Sequence, residues 1–95
     1  MTAFEWDEAK NVLNLAKHRI SFEEAAKIFE GPVLTYEDQD SDQEVRERSY
    51  GLLNGIVVVC VVHTLRGEKT RIISARKATK QERNLFHAYL KKACS

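Results

Sequence analysis

A chain of 95 residues is long enough for one core but not for two, and its 43% apolar and 31% charged content is ordinary for a globular domain. No apolar run reaches bilayer-spanning length and no secretory h-region opens the chain, so a spanning helix and a signal peptide are excluded and a cytoplasmic protein with no membrane partner is expected. The formal charge of +1 conceals a division: residues 1–62 hold 6 Lys and Arg against 12 Asp and Glu, whereas residues 63–95 hold 9 against 2, so the C-terminal third suits a polyanion.

Phe4-Glu5-Trp6 is a short aromatic stretch, after which Asp7 caps a helix ending near Lys17-His18-Arg19, where cations meet the negative end of the helix dipole. Helical spacing assigns its apolar side to Ala9, Val12, Leu13 and Ala16 and turns Lys10, Asn14 and Lys17 to solvent. The capping box Ser21-Phe22-Glu23-Glu24 opens a second helix with Ala25, Ala26, Ile28 and Phe29, stopped by Gly31-Pro32. Val33 to Tyr36 reads as a short edge strand behind the proline, and Glu37 to Glu44, with five acids and no base, as a solvated loop. A strand from Val45 to Leu53, the hairpin signal Asn54-Gly55 and a return strand from Ile56 to Thr64 follow. Leu65 to Lys69 turns the chain into Thr70 to Lys77, where isoleucine and threonine alternate with arginine and serine as on a half-buried strand. Thr79 and Glu82 form another capping box, and the helix it starts turns Leu85, Phe86, Tyr89, Leu90 and Ala93 inward, with Arg83, His87, Lys91 and Lys92 outward. The order α, α, β, β, β, β, α predicts one α+β domain over residues 1–95, with two N-terminal helices, a four-stranded antiparallel sheet and a C-terminal helix.

Register carries the reading toward chemistry. A two-residue Asn54-Gly55 loop pairs Leu53 with Ile56, Tyr50 with Val59, Arg48 with Val61 and Arg46 with His63, which puts Arg46, Arg48, Tyr50 and His63 on one face. An even turn over Arg66 to Lys69 pairs Leu65 with Thr70 and Val59 with Arg76 and adds Arg76 to that face; an odd turn brings Arg71, Ile73 and Ala75 there instead. Arginines donate paired hydrogen bonds to phosphate, histidine transfers protons near neutral pH, and an exposed aromatic stacks on a splayed base. RNA carries its own nucleophile in the 2′-hydroxyl, so such a face suits phosphodiester cleavage. Glu82 has a complete role as the third residue of its capping box and is placed to orient an arginine as well. Cys60 and Cys94 have no metal-ligand spacing and are read as reduced thiols, and the three separated histidines form no metal site.

Trp6-Asp7 with Lys10, Asn14 and Lys17-His18, then Ser21-Phe22-Glu23-Glu24-Ala25, His63-Thr64 with Arg66, and Arg71-Ile72-Ile73-Ser74-Ala75-Arg76-Lys77-Ala78 before Glu82-Arg83, resemble the BrnT family of bacterial type II toxins over nearly the whole chain. The resemblance implies a RelE-like ribonuclease that cleaves RNA and inhibits translation without a cofactor. It also implies a BrnA-like antitoxin partner, through which the complex reaches operator DNA. Carried onto this sequence, it puts Arg48, His63, Arg76 and Glu82 in the catalytic set, with His63 in proton transfer, and Lys17, His18, Arg66 and Arg83 on RNA. Phe86 stands where the family pattern often has tyrosine, and Ile56 where a basic residue often follows the hairpin glycine. The alternative function is a non-catalytic binding module that serves as co-repressor in the DNA-binding complex.

Overall fold

The computed structural model describes residues 3–38 and 45–93. In chain order the elements are β1 (Ala3–Glu5), α1 (Glu8–His18), α2 (Phe22–Ala26) continued by a 3-10 turn (Lys27–Glu30), β2 (Leu34–Asp38), β3 (Arg46–Leu53), β4 (Val57–Arg66), β5 (Lys69–Lys77) and α3 (Lys80–Ala93). The strands form one sheet in the order β1-β5-β4-β3-β2, with β1 parallel to β5 and every other pair antiparallel. The α+β class and its three helices agree with the sequence, but the sheet is five-stranded and mixed rather than four-stranded and antiparallel. Three residues are too few to show a period, and β1 exists through tertiary pairing: Ala3 aligns with Lys69, and Arg71 Nη1 donates to Glu5 Oε2 at 2.9 Å. Among the described residues, no helix is long and apolar enough to cross a membrane.

Both faces of the sheet are covered, which is why the central strand reads as an unbroken apolar run. Val59, Val61, Ile72 and Ala75 face Ile20, Phe22, Ala25 and Ile28 on one side. On the other, Tyr50, Val58 and Cys60 meet Phe86 of α3, flanked by Tyr89 and Leu90. The 3-10 turn comes down on β3 at Gly51, where an added Cβ would lie 2.9 Å from Ile28 Cβ; glycine permits that approach. Strand β2 occupies the expected edge, but it takes up Glu37 and Asp38 from the acidic loop; the rest of that loop and Cys94 lie outside the described residues.

The register departs from expectation twice. Asn54 and Gly55 adopt positive φ and Ile56 N donates to Leu53 O, as a tight turn requires, yet Cα pairing begins at Leu53 with Val57. Ile56 is extruded, 81% exposed, and every later pair on β4 moves by one: Tyr50 aligns with Cys60, Arg48 with Val62 and Glu47 with His63. Leu65 pairs with Thr70 as an even turn predicts, but a bulge between Val62 and His63 shifts β5 too, so Arg76 aligns with Cys60. The two slips cancel for Arg76, which remains in the Tyr50 row. They do not cancel for His63, which changes face.

Helix α1 is the larger correction. Its buried residues are Asn11 and Asn14, while Val12 and Leu13 are 61% and 69% exposed. Asn14 satisfies the backbone that β1 is too short to reach: Nδ2 donates to Ala75 O at 2.9 Å, Ala75 N donates to Oδ1 at 3.2 Å, and Nδ2 also donates to Ile20 O. Asn11 Oδ1 accepts from Phe22 N at 2.8 Å. Asparagine faces inward because only an amide can pair with an open strand edge, and orphaned backbone groups there would cost more than exposed leucine. Asn14→Leu should therefore lose about 3 kcal/mol in urea unfolding despite adding apolar volume, whereas Leu13→Ser should change stability by less than about 0.5 kcal/mol.

Candidate phosphodiester-binding site

The chemistry-bearing residues converge where β5 ends and α3 begins. Thr79 Oγ1 accepts from Glu82 N and Glu82 Oε1 accepts from Thr79 N at 2.8 Å, the capping box expected from sequence. The same carboxylate takes a bidentate pair from Arg76, Nη1 to Oε1 at 2.7 Å and Nη2 to Oε2 at 3.0 Å, and Oε2 also accepts from the Tyr50 hydroxyl at 2.7 Å. The Arg76 bonds are the main cause holding the Glu82 carboxyl at about 2, and the same contact raises Arg76 above its ordinary value. Burial, then the bond to Glu82, push the Tyr50 hydroxyl up; burial also raises the Cys60 thiol between them.

Arg76 is thus fixed without being used up. Glu82 occupies its Nη1–Nη2 edge and Lys77 O takes a further Nη1 bond at 3.2 Å, while Nε and the second hydrogen of Nη2 meet no acceptor among the described residues. A guanidinium clamped along one edge presents the other to an anion at little entropic cost. It does so in an open cleft of about 460 Å³ lined by Lys17, His18, Arg19, Arg76, Lys77 and Thr79. The α1 residues reach it because Asn14 pins that helix to Ala75, one residue before Arg76.

Of the sequence-predicted residues, Lys17, His18, Arg76 and Glu82 come together, and Arg83 stays beside them, its Nη1 donating to Ala78 O at 3.2 Å. Arg48 shares the Tyr50 face but lies two strands away, roughly 12 Å from Arg76 by sheet spacing, with its Nε 3.8 Å from Asp38 Oδ1. Arg66 sits at the β4–β5 turn, roughly 20 Å along the strand from the Arg76 row. His63 is on the opposite face, 7% exposed, its Nε2 2.7 Å from Ser49 Oγ, which lies 2.8 Å from Thr35 Oγ1, with the Phe29 ring edge-on at 5.1 Å. The expected common face for His63, Arg48 and Arg76 is therefore corrected: extrusion of Ile56 reverses it. Tyr50 is 4% exposed and not free to stack; the exposed aromatic beside it is Tyr36, at 6.2 Å. The cleft also includes Arg19 and Lys77, which the sequence pattern does not single out as site residues although they adjoin His18 and Arg76.

A mixed five-stranded sheet with paired helices on one face and a third helix locked over the other by a carboxylate–arginine clamp defines a small α+β domain with a cationic cleft. The same fold is seen in the 1.1 Å crystal structure of the Brucella abortus ribonuclease toxin BrnT, which superposes with a TM-score of 0.69 at 24% identity, covering 84% of this chain and 100% of that one. Residues 6–82 match the family described as the ribonuclease toxin BrnT of type II toxin–antitoxin systems, and the chain belongs to that family. No curated protein sequence matches it.

Burial lowers the pKa of His63, with Glu47 opposing, so below about 6.5 the unfolded chain binds a proton that the folded core resists. Stability present at neutral pH is lost as pH falls from that value toward the lower folded one; His63→Gln should shrink the difference between urea midpoints at about pH 7.5 and 5.5. Arg19 holds the left-handed conformation at φ 60°, ψ 29° after the last turn of α1. Arg19→Gly should raise stability by about 1 kcal/mol in thermal unfolding, which would show that left-handed strain is held at the edge of the cleft.

Proposed function

We propose that the chain is a metal-independent endoribonuclease that cleaves RNA by attack of the 2′-hydroxyl, inhibits translation by destroying messenger RNA, and is neutralised by a BrnA-like antitoxin that carries the complex to operator DNA. The observation that carries this reading is the second edge of Arg76, without a hydrogen bond among the described residues, on a guanidinium held by Glu82 inside a cleft whose other cations are Lys17, Arg19 and Lys77. Four permanent cations against one carboxylate already committed to Arg76 favour a polyanion and steer it.

In the proposed step the scissile phosphate lies against the Arg76 edge, and Lys17 and Lys77 offset the charge that grows on its non-bridging oxygens. The 2′-oxygen bonds to phosphorus as the bond to the 5′-oxygen breaks, leaving a 2′,3′-cyclic phosphate and a 5′-hydroxyl that takes its proton from solvent. Proton removal from the 2′-hydroxyl falls to His18, the histidine that lines the cleft; His63, enclosed in the opposite core, has no path to a phosphate bound there. Glu82 orients Arg76 rather than touching RNA. Arg48 holds the backbone of a neighbouring nucleotide, and Arg66 lies too far along β4 to join the same phosphate.

Induced expression in a bacterium lacking the antitoxin, with growth and total RNA followed, tests the reading. The wild-type chain should arrest growth and degrade RNA to fragments ending in cyclic phosphate. Arg76→Ala should do neither while remaining folded, His18→Ala should slow cleavage by at least about 100-fold, and His63→Gln should cleave within a few-fold of wild type. Intact RNA and normal growth with folded wild-type protein would refute catalysis and favour the co-repressor alternative.

A further inference from the structure

Helix α1 presents to solvent the stripe that amphipathic helices normally bury. At 100° per residue Val12, Ala16, Ala9 and Leu13 fall within one arc of about 100°, opposite the inward-facing Asn11 and Asn14. Leu15 adds an apolar shoulder at 47% exposure. An apolar stripe held outward by hydrogen bonds on the other side of the helix marks a surface made for a partner.

The flank nearest β5 is cationic. Lys10 and Lys17 border Leu13 there, and between them and Ile73 and Ser74 of β5 runs a groove of about 230 Å³. We infer that this face docks an amphipathic helical segment of a protein partner, its apolar stripe laid over Val12, Leu13 and Ala16 and its acidic flank against Lys10 and Lys17. On the functional reading above, that partner is the antitoxin. Charge complementarity selects an acidic segment over a second copy of this chain, because two-fold antiparallel packing of α1 on α1 brings like flanks together and sets Lys10 against the Lys17 of the copy.

The location also supplies a mechanism of neutralisation. Lys17 and His18 line both this groove and the Arg76 cleft. An acidic segment seated on α1 draws on the cations that RNA requires, so partner and RNA bind in competition, with no conformational change required of the toxin.

The test measures binding of purified, full-length BrnA-like antitoxin to the full chain by calorimetry, comparing wild type, the Val12→Glu/Leu13→Glu double variant and Lys10→Glu. All three substituted positions are solvent-facing in α1, and circular dichroism verifies the fold. The double variant should bind at least about 30-fold more weakly and Lys10→Glu several-fold more weakly, with a reduced salt dependence. In cells the double variant should still arrest growth but escape neutralisation by co-expressed antitoxin. Wild-type affinity in the double variant would overturn the inference. So would a wild-type dimer in light scattering that the double variant abolishes, which would assign the stripe to a second copy, or binding of the chain to anionic phospholipid vesicles through the same residues. If the wild type cleaves no RNA yet the double variant loses the antitoxin, catalysis fails and the docking surface stands; the converse result separates them the other way.

Discussion

The Glu82 carboxylate accepts hydrogen bonds from Arg76, Tyr50 and the backbone of Thr79, and thereby joins β5, β3 and the first turn of α3 at one point. Each interaction is modest alone. Together they fix a helix whose apolar stripe is thin, since Phe86 is the only residue of α3 that becomes fully buried. The same carboxylate satisfies the helix N-terminus that would otherwise attract an anion, and leaves the guanidinium of Arg76 as the fixed cation beside it in the cleft. One residue earlier, Asn14 clasps Ala75 from the α1 side. Residues 75 and 76 are thus held by two polar clasps from different elements, and the cleft is the space between those elements.

How far the sequence disclosed this follows from which interactions are local. The capping boxes at Ser21–Glu24 and Thr79–Glu82 and the Asn54-Gly55 turn depend on neighbours three residues apart or fewer, and all are present. Strand pairing depends on how the ladder leaves the turn. Because Val57 to Val62 is apolar on both faces, hydrophobic pattern could not reveal that Ile56 is extruded or that β5 bulges opposite His63. The Arg76–Tyr50 row emerged because two one-residue displacements offset each other, and the His63 placement failed because only one applies to it. For α1 the periodicity was legible but its polarity was not. Asn11 and Asn14 face inward to serve backbone groups of Phe22 and Ala75 that are distant in sequence.

The reversed helix also explains why the cleft is basic. Turning Asn14 toward β5 carries Lys17 and His18, three and four residues on, to the same side of α1, beside Arg76. Had the apolar stripe faced the sheet, those residues would have pointed away and the cleft would have lacked its α1 wall. The basic cleft wall and the exposed apolar stripe are therefore two sides of one orientation, set by the inward amides of Asn11 and Asn14.

That orientation has an energetic consequence for the free protein. Leaving Val12 and Leu13 in water forgoes burial worth about 1.5–3 kcal/mol for each side chain, and Arg19 adds about 1 kcal/mol of left-handed strain at the end of the same helix. A domain of this size has about 5–15 kcal/mol of stability, so these terms are a sizeable share of it. On the docking inference above, covering the stripe would return the burial term on complex formation, so a partner seated on α1 would stabilise the fold by mass action while it competes for the cations of the cleft. On that inference the free protein combines the lower stability with the open cleft and the complex would combine higher stability with a covered one, because the same helix face and its neighbouring lysine serve both.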